Sequence, residues 1–333
     1  MKALRAILFP LAIVYGVITS IRRWLYNNGI LKRTSFDLPI ICVGNLSVGG
    51  TGKTPMVDYL ISRYRHKKKV AVLSRGYGRS TQGYQVVTSQ SDAIAAGDEP
   101  LQYKVKHGDQ ITVVVCESRV EGVQRLQKDF PDVNLIILDD AYQHMAIRAG
   151  YNILLTPHSR PYWKDLMLPT GDLRETSRGD ARAQAIVTTK VPAGTPTADL
   201  RLAPVNRRNA NAVLAASKII YGQPTDMLGN TRDWSEYNTE EVDVITGIAK
   251  PEPFIRFLNE CGVRVRHHKY ADHHDFTDQE LALFKEMRRI LCTEKDAMRI
   301  RSIDLPQLCY VPITIDFIAG GGELLNSLDT FVD

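Results

Sequence analysis

Residues 44–55 read GNLSVGGTGKTP, and the reading of this stretch decides the fold. It closes on the Gly-Lys-Thr that ends a phosphate-binding loop, G-x-x-x-x-G-K-[ST], yet the place of the first glycine is taken by Ser47. The flanking residues resolve the departure. An apolar run, PIICV (39–43), precedes the loop, and Met56, Val57, Leu60, Ile61 and Tyr64 after it keep the spacing of one helix face. Pro55 falls in the first turn of that helix, where a missing N–H costs nothing. Strand, glycine loop and helix are the setting in which backbone N–H groups and a helix N-terminus bind phosphate oxygens, and Gly49, Gly50 and Gly52 keep the approach clear. Ser47, Val48, Gly49, Gly50, Thr51, Gly52, Lys53 and Thr54 are therefore the expected nucleotide-binding set. Lys53 would reach the β- and γ-phosphates of ATP, and the Thr54 hydroxyl would face Mg²⁺.

Working outward, further short β-branched runs recur: KVAVLS (69–74), ITVVV (111–115), NLIIL (134–138), YNILL (151–155) and AIVTT (185–189). Strands buried on both faces look like this, and several intervening stretches are long enough for crossover helices. The expected fold is an α/β/α sandwich of the P-loop NTPase type, followed by a second, smaller α/β domain. From about Asn206 to Glu241 the chain turns polar, with NRRNAN and GNTRDWSEYNTEE, and reads as a linker. DVITGIA (243–249), PEPFIRFLNECG (251–262), VRVRHHKY (263–270) and RILCTEKDA (289–297) supply the smaller domain. YVPITIDF (310–317) reads as one strand returning to the first. The expected division is 1–36, an N-terminal basic apolar region; 37–215, the nucleotide-binding core; 216–305, the smaller domain with its linker; and 306–333, a return segment.

The chain has 333 residues, 44% hydrophobic and 24% charged, which excludes collagenous and wholly disordered classes. Its five cysteines are scattered without a C-x-x-C, so neither a disulfide framework nor a cysteine zinc site is expected, and a reducing, cytosol-facing location fits. The placement of charge says more than the net +5. Lys2, Arg5, Arg22, Arg23, Lys32 and Arg33 all precede the first acidic residue, Asp37. Between them runs ILFPLAIVYGVITSIRRW (7–24), broken by Pro10 and without an A-x-A cleavage site. An uncleaved helix lying in or dipping into the membrane face is expected, with Arg22, Arg23 and Trp24 at headgroup level, the competing reading being a buried N-terminal helix of a soluble core.

Four motifs carry chemistry. LIILDDAYQH ends an apolar strand in Asp139 and Asp140, where a nucleotide site places Mg²⁺ carboxylates. AAGDEP (95–100) sets Asp98 beside Glu99 in an expected loop, one to accept a hydroxyl proton and the other to support the metal. LSRGYGR (73–79) offers Arg75 and Arg79 on a glycine-hinged turn suited to binding an oxyanion. HHKYADHHDF (267–276) holds four of the eight histidines, but it lacks the i, i+4 pair of an H-E-x-x-H metal site. A histidine–carboxylate dyad is the more economical reading.

Together with TGDLRE (170–175) and TEKDA (293–297), these motifs resemble, in order and over most of the chain, the tetraacyldisaccharide 4'-kinases of lipid A biosynthesis. The sequence departs mildly at Ala141-Tyr142 and at Asp172. The resemblance implies a lipid kinase that moves the ATP γ-phosphate to the 4'-hydroxyl of a tetraacylated glucosamine disaccharide 1-phosphate, at the cytoplasmic face of a bacterial inner membrane. It implies Asp98 as general base with His273 as its partner, His274 being the adjacent alternative, and Lys53 on the phosphates. Thr54, Glu99, Asp139 and Asp140 would form the Mg²⁺ neighbourhood, and Arg75, Arg119, Gln143 and Arg174 would touch phosphate or substrate. The partners implied are the lipid A disaccharide precursor and a membrane surface, with no nucleic acid. With the histidine in the second domain, closure between domains would complete the site and exclude water.

Two other classes compete. Membrane-associated ATPase switches also carry G-G-x-G-K-T, but a signature lysine precedes their two glycines, and here that position is Val48. A GTPase or metallochaperone would need N-K-x-D where this chain has TEKD, and a cysteine pair it lacks.

Overall fold

All six residues of strand β1 (Ile40–Asn45) are buried, and the phosphate-loop segment leaves its carboxyl end. The computed structural model describes residues 5, 7–206, 209–301 and 303–333. Lys2, Arg207 and Arg208, counted above in the basic and polar stretches, lie outside the described residues. In chain order the elements of the first part are α1 (Phe9–Asn27), β1, α2 (Lys53–Tyr64), β2 (Val70–Ser74), β3 (Gln85–Val87), α3 (Ala93–Ala96), α4 (Asp98–His107), β4 (Ile111–Val115), α5 (Arg119–Asp129), β5 (Leu135–Asp139), β6 (Tyr151–Pro157), β7 (Ala185–Thr189) and β8 (Val213–Tyr221). There follow β9 (Thr225–Asp226), β10 (Glu241–Thr246), α6 (Glu252–Glu260), β11 (Arg264–Lys269), α7 (Asp278–Glu286), β12 (Ile290–Thr293), α8 (Glu294–Ile300), β13 (Leu308–Val311), β14 (Ile313–Ala319) and α9 (Gly321–Val332).

Two mixed sheets result. The larger runs β14-β8-β7-β6-β1-β5-β2-β4-β3, parallel from β8 to β4 with an antiparallel strand at each edge. The smaller runs β11-β10-β12-β13-β9, with only β9 antiparallel. Each apolar run picked out in the sequence forms a strand of the larger sheet. The reason is visible at β2 and β5, whose side chains are buried on both faces: Val70 and Val72 enter one core, Ala71 and Leu73 the other. The first core contains Met56, Val57, Leu60, Ile61 and Tyr64 of α2 and Leu324, Leu328 and Val332 of α9, and it continues into Phe284, Ile290 and Met298 of the smaller half. Polar clamps reinforce that seam. Lys106 Nζ lies 2.9 Å from Asp58 and 3.0 Å from Glu294, tying α4, α2 and α8 together.

Three expectations change. The run YVPITIDF is two strands rather than one, because Pro312 cannot donate to a ladder: residues to Val311 complete the smaller sheet, and those from Ile313 pair with β8 in the larger. The polar stretch read as a linker contains the whole of β8, which crosses the expected division at 215/216 and belongs to the larger sheet. Asp98 and Glu99 stand in the first turn of helix α4, not in a loop. Gly97 makes this possible, since it holds φ at +89° and a Cβ there would stand 3.1 Å from Gly76 Cα. That contact presses the SRGYGR turn against the start of α4.

Helix α1 packs through Ala12 and Gly16, and the Tyr15 hydroxyl donates to the Arg174 carbonyl at 3.0 Å. Its other face is apolar and open: Ile13, Val14, Val17, Ile18, Ile21 and Trp24 are each more than half exposed. Among the described residues no helix is long and apolar enough to cross a membrane. Arg22 and Arg23, expected at headgroup level, donate to the Gln143 carbonyl and the Thr176 hydroxyl.

Candidate active site

The carboxyl ends of β1, β5 and β7 meet at the point where strand order reverses, the usual place for a ligand in an open α/β sheet. Ser47 needs no glycine because its backbone is not left-handed; it bridges Leu173, and Val48 N–H donates to the Asp172 carbonyl at 2.8 Å. The loop is thereby stitched to the TGDLRE segment. Its floor is held by the Asn45 amide, which donates to the Thr51 hydroxyl at 2.7 Å, and by the Thr189 hydroxyl, which donates to the Thr51 carbonyl at 2.7 Å. Gly52 turns the chain into α2 at φ +88°, a conformation costly for any other residue, and no side chain caps that helix N-terminus.

Facing the loop, Asp140 takes a left-handed backbone (φ 48°) as the chain leaves β5. This turn directs its carboxylate to Lys53 Nζ at 3.5 Å and Arg174 Nη1 at 3.2 Å. Burial pushes the Asp140 carboxyl up, but Lys53 and Arg174 outweigh it and hold the group below its ordinary range. At Asp139 the relief from Lys53 and Arg119 is outweighed. Burial, and then the negative charges of Glu99 and Asp140, drive its carboxyl up to about 7. The Tyr103 and Ser74 hydroxyls stand 3.4 Å from it.

Asp98 is held from the other half of the molecule. His273 Nδ1 is 3.0 Å from its Oδ2, and Arg299 donates to the same oxygen from Nε at 2.9 Å and again from Nη2. Burial pushes this carboxyl up, yet the hydrogen bonds from His273 and Arg299 bring it down to about 2. The bond to Asp98 raises the His273 imidazole. His274 turns away to Glu280 at 3.0 Å and stacks on Tyr270, so geometry pairs His273, not its neighbour, with Asp98. His267 and His268 bond Thr246 and Asp243. Each histidine of the cluster thus has its own partner.

The remaining candidates divide. Gln143 donates to the Asn45 carbonyl at 2.7 Å and lies 3.4 Å from Arg174, beside α1. Arg75 is exposed. Arg119 is buried, and its donors go to the Cys116 carbonyl at 2.7 Å and the Asp139 carbonyl at 3.2 Å; it braces the strand end from behind and does not face solvent. Arg79 is spent on Glu117 and on the Gly83 carbonyl, so only Arg75 of that pair is open to an anion. Among the described residues no three His, Cys, Asp or Glu side chains come close enough to hold a metal ion. The four expected neighbours are not a closed cage: Glu99 is engaged by Lys295 and Asp140 by Lys53. Lys295 and Arg299 were not singled out from the sequence. Their signal was available in the i, i+4 spacing that sets both on one face of a helix opening on the TEKDA motif.

A cation-lined glycine loop opposite a desolvated carboxylate, with a second, charged carboxylate clamped from across a domain seam, belongs to enzymes that transfer phosphoryl groups. Comparison with known proteins specifies which. The family model for tetraacyldisaccharide-1-P 4'-kinase matches residues 4–333. The tetraacyldisaccharide 4'-kinase of Flavobacterium johnsoniae is 42% identical, over 96% of this chain and 94% of that one. The enzyme of the same name from Bacteroides fragilis is 40% identical over 96% of this chain and 90% of its own. Among solved structures, LpxK from Aquifex aeolicus, crystallised in complex with ATP, superposes with a TM-score of 0.79 at 26% identity, over 99% of this chain and all of that one. The chain belongs to the tetraacyldisaccharide 4'-kinase family.

Proposed function

We propose that this kinase transfers the γ-phosphate of ATP to the 4'-hydroxyl of a tetraacyldisaccharide 1-phosphate in lipid A biosynthesis, giving the 1,4'-bisphosphate, while resting on the cytoplasmic face of the inner membrane. The observation that carries the chemistry is the opposition of Lys53, at the head of α2, to Asp139 and Asp140 at the end of β5. Residues 47–54 would cradle the β- and γ-phosphates, as expected of a P-loop enzyme. Asp139 suits a magnesium site: burial and the charges of Glu99 and Asp140 raise its carboxyl to about 7, so a cation bound there would favour its charged form, and Mg²⁺ takes one or two carboxylates together with phosphate oxygens and waters. Thr54, next to Lys53, would offer a hydroxyl to the same ion, with Asp140 and Glu99 in its surroundings. When bound, the ion would neutralise charge on the phosphates.

Asp98 would accept the hydrogen bond of the sugar hydroxyl and orient it, with His273 behind it. A carboxyl near 2 is a weak base. Phosphoryl transfer through a loose transition state asks mainly for positioning, because the nucleophile's proton departs late. Gln143 and Arg174 lie where α1 meets the core, and with the exposed Arg75 they would contact the anionic head of the lipid. The decisive assay is transfer of label from γ-labelled ATP to detergent-dispersed tetraacyldisaccharide 1-phosphate, beside hydrolysis without lipid. Mg²⁺-dependent label on the lipid is expected; hydrolysis with no labelled lipid would overturn the reading.

The open apolar face of α1 supports the membrane assignment. Fully burying one such side chain contributes about 1.5–3 kcal/mol. Val14→Glu with Ile18→Glu is therefore expected to weaken co-sedimentation with anionic vesicles by roughly 10²-fold or more. ATP hydrolysis in detergent should be unaffected, and unchanged vesicle binding would remove α1 from this role.

A further inference from the structure

Among the described residues, three that are not glycine hold a left-handed backbone: Asp140, Lys190 and His273. A side chain in that conformation crowds its own backbone, and such residues gather where a site demands a particular direction. Two of the three already stand in the proposed site. The third, Lys190 (φ 56°), immediately follows β7 and had no role in the sequence reading.

Its conformation is fixed from both sides. His158 N–H donates to the Thr189 carbonyl at 2.9 Å, and Val191 N–H donates to the Ser217 carbonyl at 3.1 Å. The Thr189 hydroxyl, bonded to the Thr51 carbonyl at 2.7 Å, holds this strand end against the glycine loop. The left-handed turn then lays the lysine across the loop, with Nζ 3.4 Å from where a Cβ on Gly50 would stand. Gly50 has no such atom, so the ammonium approaches the backbone that faces phosphate.

The charges around it point the same way. Lys53 is matched by Asp140 and Lys295 by Glu99, but Lys190 makes no hydrogen bond or ion pair among the described residues. The residue is exposed as a whole, yet its ammonium is partly desolvated by the surrounding protein. That desolvation, and then the positive charges of Lys295, Lys250 and Lys53, lower the ammonium to about 8. An unmatched ammonium set among other cations is stabilised when a polyanion binds beside it.

We propose that Lys190 is a second phosphate-binding lysine, closing its ammonium over the polyphosphate chain of the nucleotide held by residues 47–54. This rests on the reading of that loop as the nucleotide site, and the test separates the two. Equilibrium binding of ATP and of AMP, with Mg²⁺, would be measured on the full chain and on Lys190→Met, Lys190→Arg, Lys190→Gly and Lys53→Met. Lys190→Gly removes the side chain with no backbone strain, so one variant stays folded if another does not.

Loss of a charged hydrogen bond predicts ATP binding weakened by about 10–100-fold in Lys190→Met and Lys190→Gly, with KM for ATP raised in step. AMP, which has no β- or γ-phosphate, should bind as before, and Lys190→Arg should recover most of the loss. A purely structural role would weaken AMP as much as ATP, and that result would overturn the proposal. Unchanged ATP affinity in the Lys190 variants with a loss in Lys53→Met would overturn it while leaving the loop reading intact. Unchanged affinity in all of them would overturn both.

Discussion

Replacing Asp98 by asparagine is expected to lower turnover by about 10²–10⁴-fold while ATP affinity changes little. Asparagine keeps the shape of the side chain and removes the charge that would orient the acceptor hydroxyl. Among the described residues the hydrogen-bond partners of the Asp98 carboxylate are His273 and Arg299, both from the smaller half and neither in the glycine loop. The effect should therefore fall on kcat, which steady-state transfer assays and an independent ATP-binding isotherm would separate. Near-normal turnover would remove Asp98 from its role.

A second consequence concerns pH. The folded carboxyl is depressed to about 2 from an ordinary value of 3.8, so its stabilising contribution is complete above 3.8 and is lost as pH falls toward 2. Any acid limb in the rate profile between pH 5 and 8 must then come from another group and should persist in the residual activity of Asp98→Asn. The variant also leaves the Arg299 guanidinium, 4% exposed, with Asp296 as its remaining carboxylate, so a lower melting temperature is expected and should be measured separately.

Lys53→Ala is expected to act more broadly, with a loss of about 10²–10³-fold in kcat and weaker ATP binding as well. The lysine is placed to touch phosphate oxygens in the ground state and to oppose the charge that shifts toward the leaving group, so both terms lose it. Its removal also leaves Asp140 with Arg174 alone, a negative charge where phosphates should enter. Asp140→Asn on top of Lys53→Ala should restore part of the ATP affinity but little of the turnover. Direct binding and single-turnover transfer would show this, and wild-type affinity in Lys53→Ala would count against the loop as the nucleotide site.

The larger sheet was legible in the sequence because its central strands are buried on both faces and so carry uninterrupted β-branched runs, as in ITVVV. The phosphate-loop segment could be read for a similar reason: local geometry alone restricts which residues fit between β1 and α2. What escaped was non-local. The i, i+4 spacing of Lys295 and Arg299 marks a shared helix face, but nothing local says that this face meets Glu99 and Asp98 across the domain seam. Lys190 looked like an ordinary residue after a strand, since its direction depends on a single backbone angle. AAGDEP was read as a loop because Gly and Pro punctuate it, although Pro100 sits comfortably in a first helical turn. The paired strands on either side of Pro312 show the opposite fault, a continuous hydrophobic pattern hiding a break.

That break has a mechanical consequence. The chain passes between the two sheets twice, after Tyr221 and again at Pro312, and the passages lie side by side: Gly222 N–H donates to the Pro312 carbonyl at 2.8 Å, and Ile313 pairs with Tyr221. Two adjacent, mutually bonded crossings join the halves as a double strap, not as a single tether. Any turn of the smaller half against the larger would have to bend both crossings together and part the shared core that Phe284, Ile290 and Met298 enter. The ion pairs of Asp98 and Glu99 bridge the same seam, so crossings, core and salt bridges together fix the side from which His273 and Arg299 meet that carboxylate.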